Sequence, residues 1–312
     1  MAHEVETMAY AGETPWHGLG TKVINDLTPA QMLDKAGLNW TVEKIPTFCE
    51  IDGKKIPTQD SALVRSSDKK ILSVVSGDWN PVQNETAFEF FNDFVMAGDM
   101  EMHTAGSLRE GKNVWALAKV KDSFEILGGD KVDSYLLFSN PHEYGKCIDI
   151  RFTPIRVVCN NTLTLSLAGK SDLMVRLNHR RQFDAEMVKQ TLGVAHTKMA
   201  TYKEVAEHLS TKRYTSDSLT EYLQSVFPAM VKEKNAKVLS RPANQALEVM
   251  ETQPGADFGR GSWWQAFNAV TYTTDHLLGH SNDTRLQSAW FGQNRQRKVQ
   301  ALEKAIEFAD AA

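Results

Sequence analysis

Residues 146–161 are predicted to form a strand whose side chains suit contact with phosphate. Up to Pro154 the apolar and charged residues alternate, as the two faces of a strand require. Because proline cannot donate to a β-ladder, a bulge at Pro154 would bring Arg151 and Arg156 onto one face. Guanidinium groups in such a row can follow a phosphate backbone. The cations of this strand and of the chain after it are Lys146, Arg151, Arg156, Lys170, Arg176, Arg180 and Arg181.

Exposed aromatic rings beside these cations would stack on bases, which binds single strands with little sequence preference. The candidate rings are Trp79, Tyr144 and Phe152. We therefore predict a binding site for single-stranded DNA that includes Trp79 and Phe152. A structural alternative stays equally open, in which Arg151 and Arg156 pair with carboxylates of neighbouring strands and the aromatic rings belong to the core.

The charge of the chain is unevenly distributed along its 312 residues, and its net value is -4. Residues 1–145 contain 13 basic and 22 acidic residues, a balance of -9, whereas residues 146–213 contain 12 basic and 6 acidic residues, a balance of +6. His179, His196 and His208 would add positive charge below a pH of about 6.5. One basic stretch on a weakly acidic protein is expected when a single face meets phosphate.

Other motifs favour structure over catalysis. Gly106–Lys112 has the spacing of a phosphate-binding loop, but Asn113 replaces the required Ser or Thr and a strand follows, so we predict a hairpin turn. Asp52-Gly53-Lys54 resembles the end of a nuclease site but is more typical of a turn. The nine histidines form no HExxH motif, and the three cysteines form no CxxC pair and are expected to be free and buried. We predict no metal, no cofactor and no catalytic residue.

The predicted elements define an α+β fold with antiparallel strand hairpins and short helices in the N-terminal half and a helical C-terminal third. A helix is expected over residues 28–36, because Thr28 can cap it and Pro29 suits its first position. Another is expected from Asn84 to Gly98. The pattern becomes helical after Asp184, and we predict a mixed sheet domain over residues 1–213 and a helical domain over residues 214–312.

The composition, 42% hydrophobic and 24% charged, is that of a folded globular protein. No apolar stretch approaches the roughly 20 residues that a membrane span needs, and the N-terminus lacks a secretory signal pattern. We therefore expect no membrane contact and a cytoplasmic location.

Four motifs are distributed over the chain: Thr14–Gly20, Thr104–Ala118, Arg156–Leu163 and Trp263–His276. Together they are similar to an uncharacterised family of phage and plasmid-like proteins found in phages, plasmids and laterally transferred islands. This resemblance covers nearly the whole chain and implies an origin in a mobile element, and hence a bacterial host cell, without an established activity. The order of elements and the basic strand also resemble the single-strand annealing recombinases of phages, whose rings or filaments hold single-stranded DNA in a basic groove.

The leading hypothesis is a phage or plasmid protein of DNA metabolism that binds single-stranded DNA and promotes strand annealing and recombination as a homo-oligomer, without enzymatic chemistry. One alternative is an accessory factor that binds and inhibits a host protein, with its acidic half as a DNA mimic. A further alternative is a metal-dependent nuclease, which requires carboxylates and histidines that converge in three dimensions.

Overall fold

The structure, a computed structural model, describes residues 4–12, 18–126, 129–156, 161–162, 174–180, 183–193, 195–229, 239–279 and 282–311. Its fold is α+β, as predicted, with antiparallel hairpins in the N-terminal half and helices towards the C-terminus. The chain forms two compact units. Unit 1 contains Met1–Lys121, Tyr135–Arg151 and Met174–Gly193, and unit 2 contains Asp122–Ser134, Phe152–Leu173 and Val194–Ala312. All of residues 214–312, the predicted helical domain, belong to unit 2.

The larger sheet has eight strands in the order β10-β9-β8-β7-β6-β1-β2, and β11 also pairs with β9. The short β2 is parallel to β1, whereas β6 is antiparallel to both β1 and β7. The strands are β1 (Val5–Tyr10), β2 (Thr21–Lys22), β6 (Met100–Leu108), β7 (Asn113–Ile126), β8 (Asp130–Pro141), β9 (Ile148–Arg156), β10 (Asn161–Thr162) and β11 (Met174–Leu177).

The smaller sheet lies in unit 1 and consists of β3 (Val42–Ile51), β4 (Lys54–Arg65) and β5 (Ile71–Ser76), all antiparallel. The predicted turn at Asp52-Gly53 joins β3 to β4, and both residues have positive φ, 51° and 72°. That pairing is typical of a type I′ turn, whose twist matches that of the flanking strands. The carboxylate-lysine resemblance at this position is therefore explained by a hairpin.

Helix α1 (Pro29–Lys35) begins as the sequence predicts. The hydroxyl of Thr28 accepts from the backbone N–H of Gln31, and the Gln31 side chain accepts from the backbone N–H of Thr28. This reciprocal pair is a capping box, which satisfies two amides at a helix N-terminus. Gly37, with a φ of 68°, ends the helical segment.

The single helix predicted from Asn84 to Gly98 is wrong, since the segment forms α2 (Asn84–Glu89) and α3 (Asn92–Met96). The helix is interrupted because three neighbouring phenylalanine rings must all reach the core. Phe88, Phe90 and Phe91 are all buried. On one continuous helix Phe90 would point about 160° away from Phe88, towards solvent. Breaking the helix at Phe90–Phe91 lets all three rings reach the core.

The remaining helices follow β11 in the chain. Helices dominate the described chain after Asp184, where the sequence predicts a helical pattern. The helices are α4 (Ala185–Gly193), α5 (Ala195–Thr211), α6 (Ser216–Val226), α7 (Arg241–Glu248), α8 (Trp263–Tyr272), α9 (Asn282–Phe291) and α10 (Gln293–Asp310). Across the described residues, none of the helices has the length and apolar character to cross a membrane.

The core of unit 2 is built around α8, whose described side chains are almost all buried. Trp264 donates its indole N–H to the carboxylate of Asp130 at 2.9 Å. The Lys298 ammonium of α10 donates to the Asp275 carboxylate at 2.7 Å, and both side chains are nearly inaccessible to solvent. Asp275 lies in a π-helical turn (Thr273–Leu277) that continues α8. A buried, paired charge of this kind constrains how the helices pack.

Candidate nucleic-acid interface

Arg151, the central cation of the predicted strand, is buried. It lies in β9 with 6% of its surface exposed, and its guanidinium donates to the carboxylate of Asp149, two residues earlier, at 2.8 Å. Residues two apart on a strand share a face, which brings the two side chains together. The structure therefore favours the structural alternative for Arg151, whose charge faces a carboxylate and not solvent. Arg156 ends β9 opposite Asn161.

Two of the three candidate aromatic rings are also buried. Trp79 and Phe152 each have 4% of their surface exposed, so the expectation that they are open to bases is wrong. Trp79 stacks on the imidazole of His179, with 4.0 Å between ring centroids and 20° between ring planes. Large aromatic rings gain more by burying their area than by facing water, which explains why they lie in the core. Lys170 and Arg181 lie outside the described residues.

Three of the predicted cations and one aromatic ring remain exposed in unit 1. Lys146, Arg176 and Arg180 are exposed, and 60% of Tyr144 is accessible. We call these four residues the basic edge. Lys146, Arg176 and Arg180 belong to the predicted site, and Tyr144 is the one candidate ring that is open to solvent. Among described residues, neither Lys146 nor Arg176 takes part in an ion pair.

Strand pairing brings the basic edge to one end of the β9–β11 pair. Ile148 of β9 is opposite Leu177 of β11, and the two strands are antiparallel. Lys146 therefore precedes this last pair by two residues, and Arg180 follows it by three. Antiparallel partners leave a ladder at the same end, so the two cations emerge together. Arg176 lies inside the ladder, opposite Asp149.

The chain segments of the basic edge are held by contacts with distant residues. Arg109 forms a two-pronged ion pair with Glu143, with distances of 2.6 and 2.9 Å, and the backbone N–H of Tyr144 donates to the Ser73 hydroxyl at 3.1 Å. Bidentate pairs between guanidinium and carboxylate fix geometry well. The pKa of Arg109 is raised mainly by this hydrogen bond to Glu143. Tyr144 is thus presented on an anchored loop.

Arg109 belongs to the turn that resembled a phosphate-binding loop. Arg109, Glu110 and Gly111 have consecutive positive φ values of 53°, 60° and 85°, and the turn joins β6 to β7. A helix must follow a true phosphate-binding loop, and here a strand follows. The prediction of a hairpin turn is confirmed.

Arg180 is the one cation of the basic edge with a described ionic partner. Its guanidinium lies 3.2 Å from the Asp78 carboxylate, and both side chains are more than half exposed. The Ser76 hydroxyl and then the Arg180 charge hold the pKa of Asp78 below its usual value. Exposed pairs of this kind contribute little stability and exchange readily with other anions.

Beneath the basic edge lie two buried histidines that sequence reasoning did not single out as a pair. His142 Nε2 lies 3.1 Å from Asn84 Oδ1. The Asn84 amide group already donates to two carbonyls, so its oxygen accepts and His142 carries its proton on Nε2. Asn140 donates to the Val82 carbonyl at 2.8 Å. Nδ1 of His142 and Oδ1 of Asn140 are buried without a hydrogen-bond partner.

His179 joins the loop after β11 to the loop after β5. Its carbonyl accepts from the backbone N–H of Asn80 at 2.8 Å, and its Nδ1 lies 3.2 Å from the Asn80 carbonyl. Burial lowers the pKa of His179 to about 4, and burial together with the charge of His179 lowers the pKa of His142 to about 3. The expectation that His179 gains charge below pH 6.5 is wrong, because desolvation disfavours the imidazolium.

The described residues give no support to metal chemistry. In the described ranges, no group of three or more His, Cys, Asp or Glu side chains is arranged to hold a metal ion. Cys49 and Cys147 are free, as predicted, but both are exposed and not buried. Cys147 lies in the loop before β9, and Cys49 lies in the part of β3 that pairs with β4 beyond the reach of β5.

The fold and the site define a class: an α+β protein with an anchored basic edge beside a buried histidine pair. The chain belongs to the family described as a domain of unknown function (DUF932), which matches residues 71–304. This match includes all four residues of the basic edge and most of unit 2. No curated protein and no solved structure shows significant similarity to the chain.

Proposed function

We propose that the protein binds single-stranded nucleic acid through the basic edge. The observation that supports this proposal is the exposure of Tyr144 next to Lys146, at the end of the strand pair where Arg180 also emerges. Cations that follow the backbone and a ring that stacks on bases are the two requirements for sequence-tolerant binding. Anchoring of the loop by Arg109–Glu143 reduces the entropy lost when a ligand binds.

The size of the basic edge sets the expected strength. Three cations would neutralise about three phosphates, so the logarithm of the binding constant should fall with the logarithm of salt concentration with a slope of roughly -2. Stacking of one base on Tyr144 contributes on the order of 1–3 kcal/mol. Such a site binds weakly alone, and several copies along one strand would strengthen the attachment.

The test is fluorescence anisotropy of a labelled poly-thymine oligonucleotide at a series of salt concentrations. The site variant K146Q/R176Q/R180Q should bind more weakly than the unmodified protein, and its salt slope should move towards zero by about 2. The matched control removes three exposed cations of unit 1 elsewhere, at Lys22, Lys35 and Lys55. It changes the net charge equally and should leave both quantities intact.

Comparison of the two variants distinguishes binding at the basic edge from a general effect of charge. Equal weakening in both variants would show that binding is a general effect of charge and would refute the basic edge as the site. Absence of binding by the unmodified protein at low salt would refute the function. Replacing Tyr144 by Leu should weaken binding without changing the salt slope, because this change removes stacking and no charge.

The wider role rests on the motif resemblance. We propose a phage or plasmid protein of DNA metabolism that works in the bacterial cytoplasm and anneals complementary strands as a homo-oligomer. Annealing of two labelled complementary oligonucleotides, followed by energy transfer, tests this role. Faster annealing by the unmodified protein than by K146Q/R176Q/R180Q supports it, and equal rates with and without protein contradict it.

A further inference from the structure

An acidic side chain lies beside one cation of the basic edge. Asp78 is in the loop after β5, and its Oδ2 lies 3.2 Å from Nε of Arg180. Carboxylates and phosphates both present anionic oxygens to a guanidinium group, and both pair with arginine in the same geometry. A phosphate that binds Arg180 through this side of the guanidinium must therefore displace Asp78.

Contacts within its own loop hold Asp78 in place. The Ser76 hydroxyl donates to Oδ1 of Asp78 at 2.5 Å, which leaves Oδ2 to face Arg180. The side-chain amide of Asn80 donates to the backbone carbonyl of Asp78 at 3.3 Å. The pKa of Asp78 is lowered first by the Ser76 hydroxyl and then by the Arg180 charge, so the carboxylate is ionised at neutral pH. The acid is thus held as an anion at a defined position.

The loop that carries Arg180 is joined to the Asp78 loop by direct contacts. The backbone carbonyl of His179 accepts from the backbone N–H of Asn80 at 2.8 Å. The His179 ring stacks on Trp79, with 4.0 Å between the ring centroids. Trp79 follows Asp78 in the chain and His179 precedes Arg180, so the junction of the two loops brings the acid to the cation.

The ion pair itself contributes little to stability. The Arg180 side chain is 54% exposed and the Asp78 side chain is 61% exposed. Exposed pairs are weak, because water solvates both charges well when they separate. The two loops are already joined by the buried rings of His179 and Trp79. The main consequence of the pair is therefore for ligands of Arg180, whose charge is partly neutralised before any phosphate binds.

We propose that Asp78 is an autoinhibitory residue of the basic edge, whose carboxylate pairs with Arg180 in the free protein and is displaced when nucleic acid binds. This inference rests on the proposed function. Exchange of one anion for another on Arg180 gains less free energy than pairing of a phosphate with an unoccupied cation. A ligand that contacts Arg180 alone therefore gains little, whereas a strand that also reaches Lys146 and Arg176 gains enough to displace the acid.

The first experiment compares D78N with the unmodified protein by fluorescence anisotropy of the labelled poly-thymine oligonucleotide. Asn keeps the size of Asp while removing its charge. From the strength of exposed ion pairs, the Kd of D78N should be about two to five times lower than that of the unmodified protein. The matched control is D26N, the same change at another exposed acid of unit 1. Its Kd should stay close to that of the unmodified protein, because charges at long range are screened by salt.

The second experiment tests whether Asp78 acts through Arg180. R180Q lacks the cation of the pair, so D78N/R180Q should bind the oligonucleotide with nearly the same Kd as R180Q. A departure from additivity in such a double-mutant cycle measures the coupling between two residues. D78N should therefore lower the Kd of the unmodified protein and leave the Kd of R180Q nearly unchanged. Circular dichroism checks that each variant is folded.

The outcomes separate the role of Asp78 from the proposed function. Binding by the unmodified protein with equal Kd values for D78N and D26N would overturn the role of Asp78 and leave the basic edge as the site. Equal tightening by D78N with and without Arg180 would show a general effect of charge and would also overturn that role. Absence of binding by both the unmodified protein and D78N at low salt would refute the proposed function, and the role of Asp78 with it.

Discussion

Acid should destabilise unit 1 through its two buried histidines. Both are neutral in the folded protein, with the pKa of His142 lowered to about 3 and that of His179 to about 4 by burial. In the unfolded chain each imidazole titrates near 6.5. Because the pKa is lowered in the folded state, the free energy of unfolding has its full value above about pH 6.5. That stability is lost as the pH falls towards the folded values, because only the unfolded chain takes up protons.

The size of the loss follows from these values. At pH 5 nearly one proton per histidine binds on unfolding, so stability changes by about 1.4 kcal/mol per pH unit for each. Integrated from pH 7 to pH 5, each histidine accounts for about 1.9 kcal/mol. The pair therefore accounts for about 4 kcal/mol, a large part of the 5–15 kcal/mol that is typical for folded proteins. Most carboxylates stay ionised in this window, which isolates the histidines.

The assay is equilibrium unfolding in urea at pH 7, 6 and 5. In H142Q the amide of Gln can replace the Nε2 donor. Between pH 7 and pH 5 its free energy of unfolding should fall by about 1.9 kcal/mol less than that of the unmodified protein. H179Q should behave in the same way. Asn84→Ala is the control, since it removes a buried partner of His142 but no titrating group. It should lower stability at every pH and keep the full pH dependence. A pH dependence of H142Q equal to that of the unmodified protein would refute the reasoning for His142.

Two further predictions concern buried charge and backbone geometry. Lys298→Met removes the cation from the buried Asp275 carboxylate and should destabilise unit 2 by about 3–5 kcal/mol, while the additional change Asp275→Leu should recover most of the loss, as measured by thermal unfolding. Gly111→Ala should cost more than about 1 kcal/mol, because φ is 85° and the added methyl would lie 2.7 Å from the Arg65 guanidinium. Stability equal to that of the unmodified protein in either single variant would contradict the corresponding argument.

The sequence predicts those elements that local chemistry determines. Thr28 and Pro29 specify the start of α1, and Asp52-Gly53 specifies the turn between β3 and β4, because caps and tight turns depend on neighbouring residues alone. The helix through Phe90 was predicted wrongly because its break depends on which rings the distant core accepts. Local pattern does not contain that information.

In the candidate site, too, the local pattern predicts some features while distant contacts decide the others. Alternation along β9 predicts which residues share a face, but whether that face is covered depends on strands far away in sequence. Arg151 and Phe152 lie in the middle of β9 and are buried, whereas Lys146 precedes β9 and Arg176 lies in the edge strand β11. Charge alone does not separate these two cases.

Burial of Arg151 also determines what kind of ligand the exposed cations suit. A continuous row of exposed arginines would track a long backbone, but among the described residues of this segment the exposed cations Lys146, Arg176 and Arg180 lie at or near one end of the β9–β11 pair. Such a short patch contacts few phosphates per chain, so strong binding requires several chains on one strand.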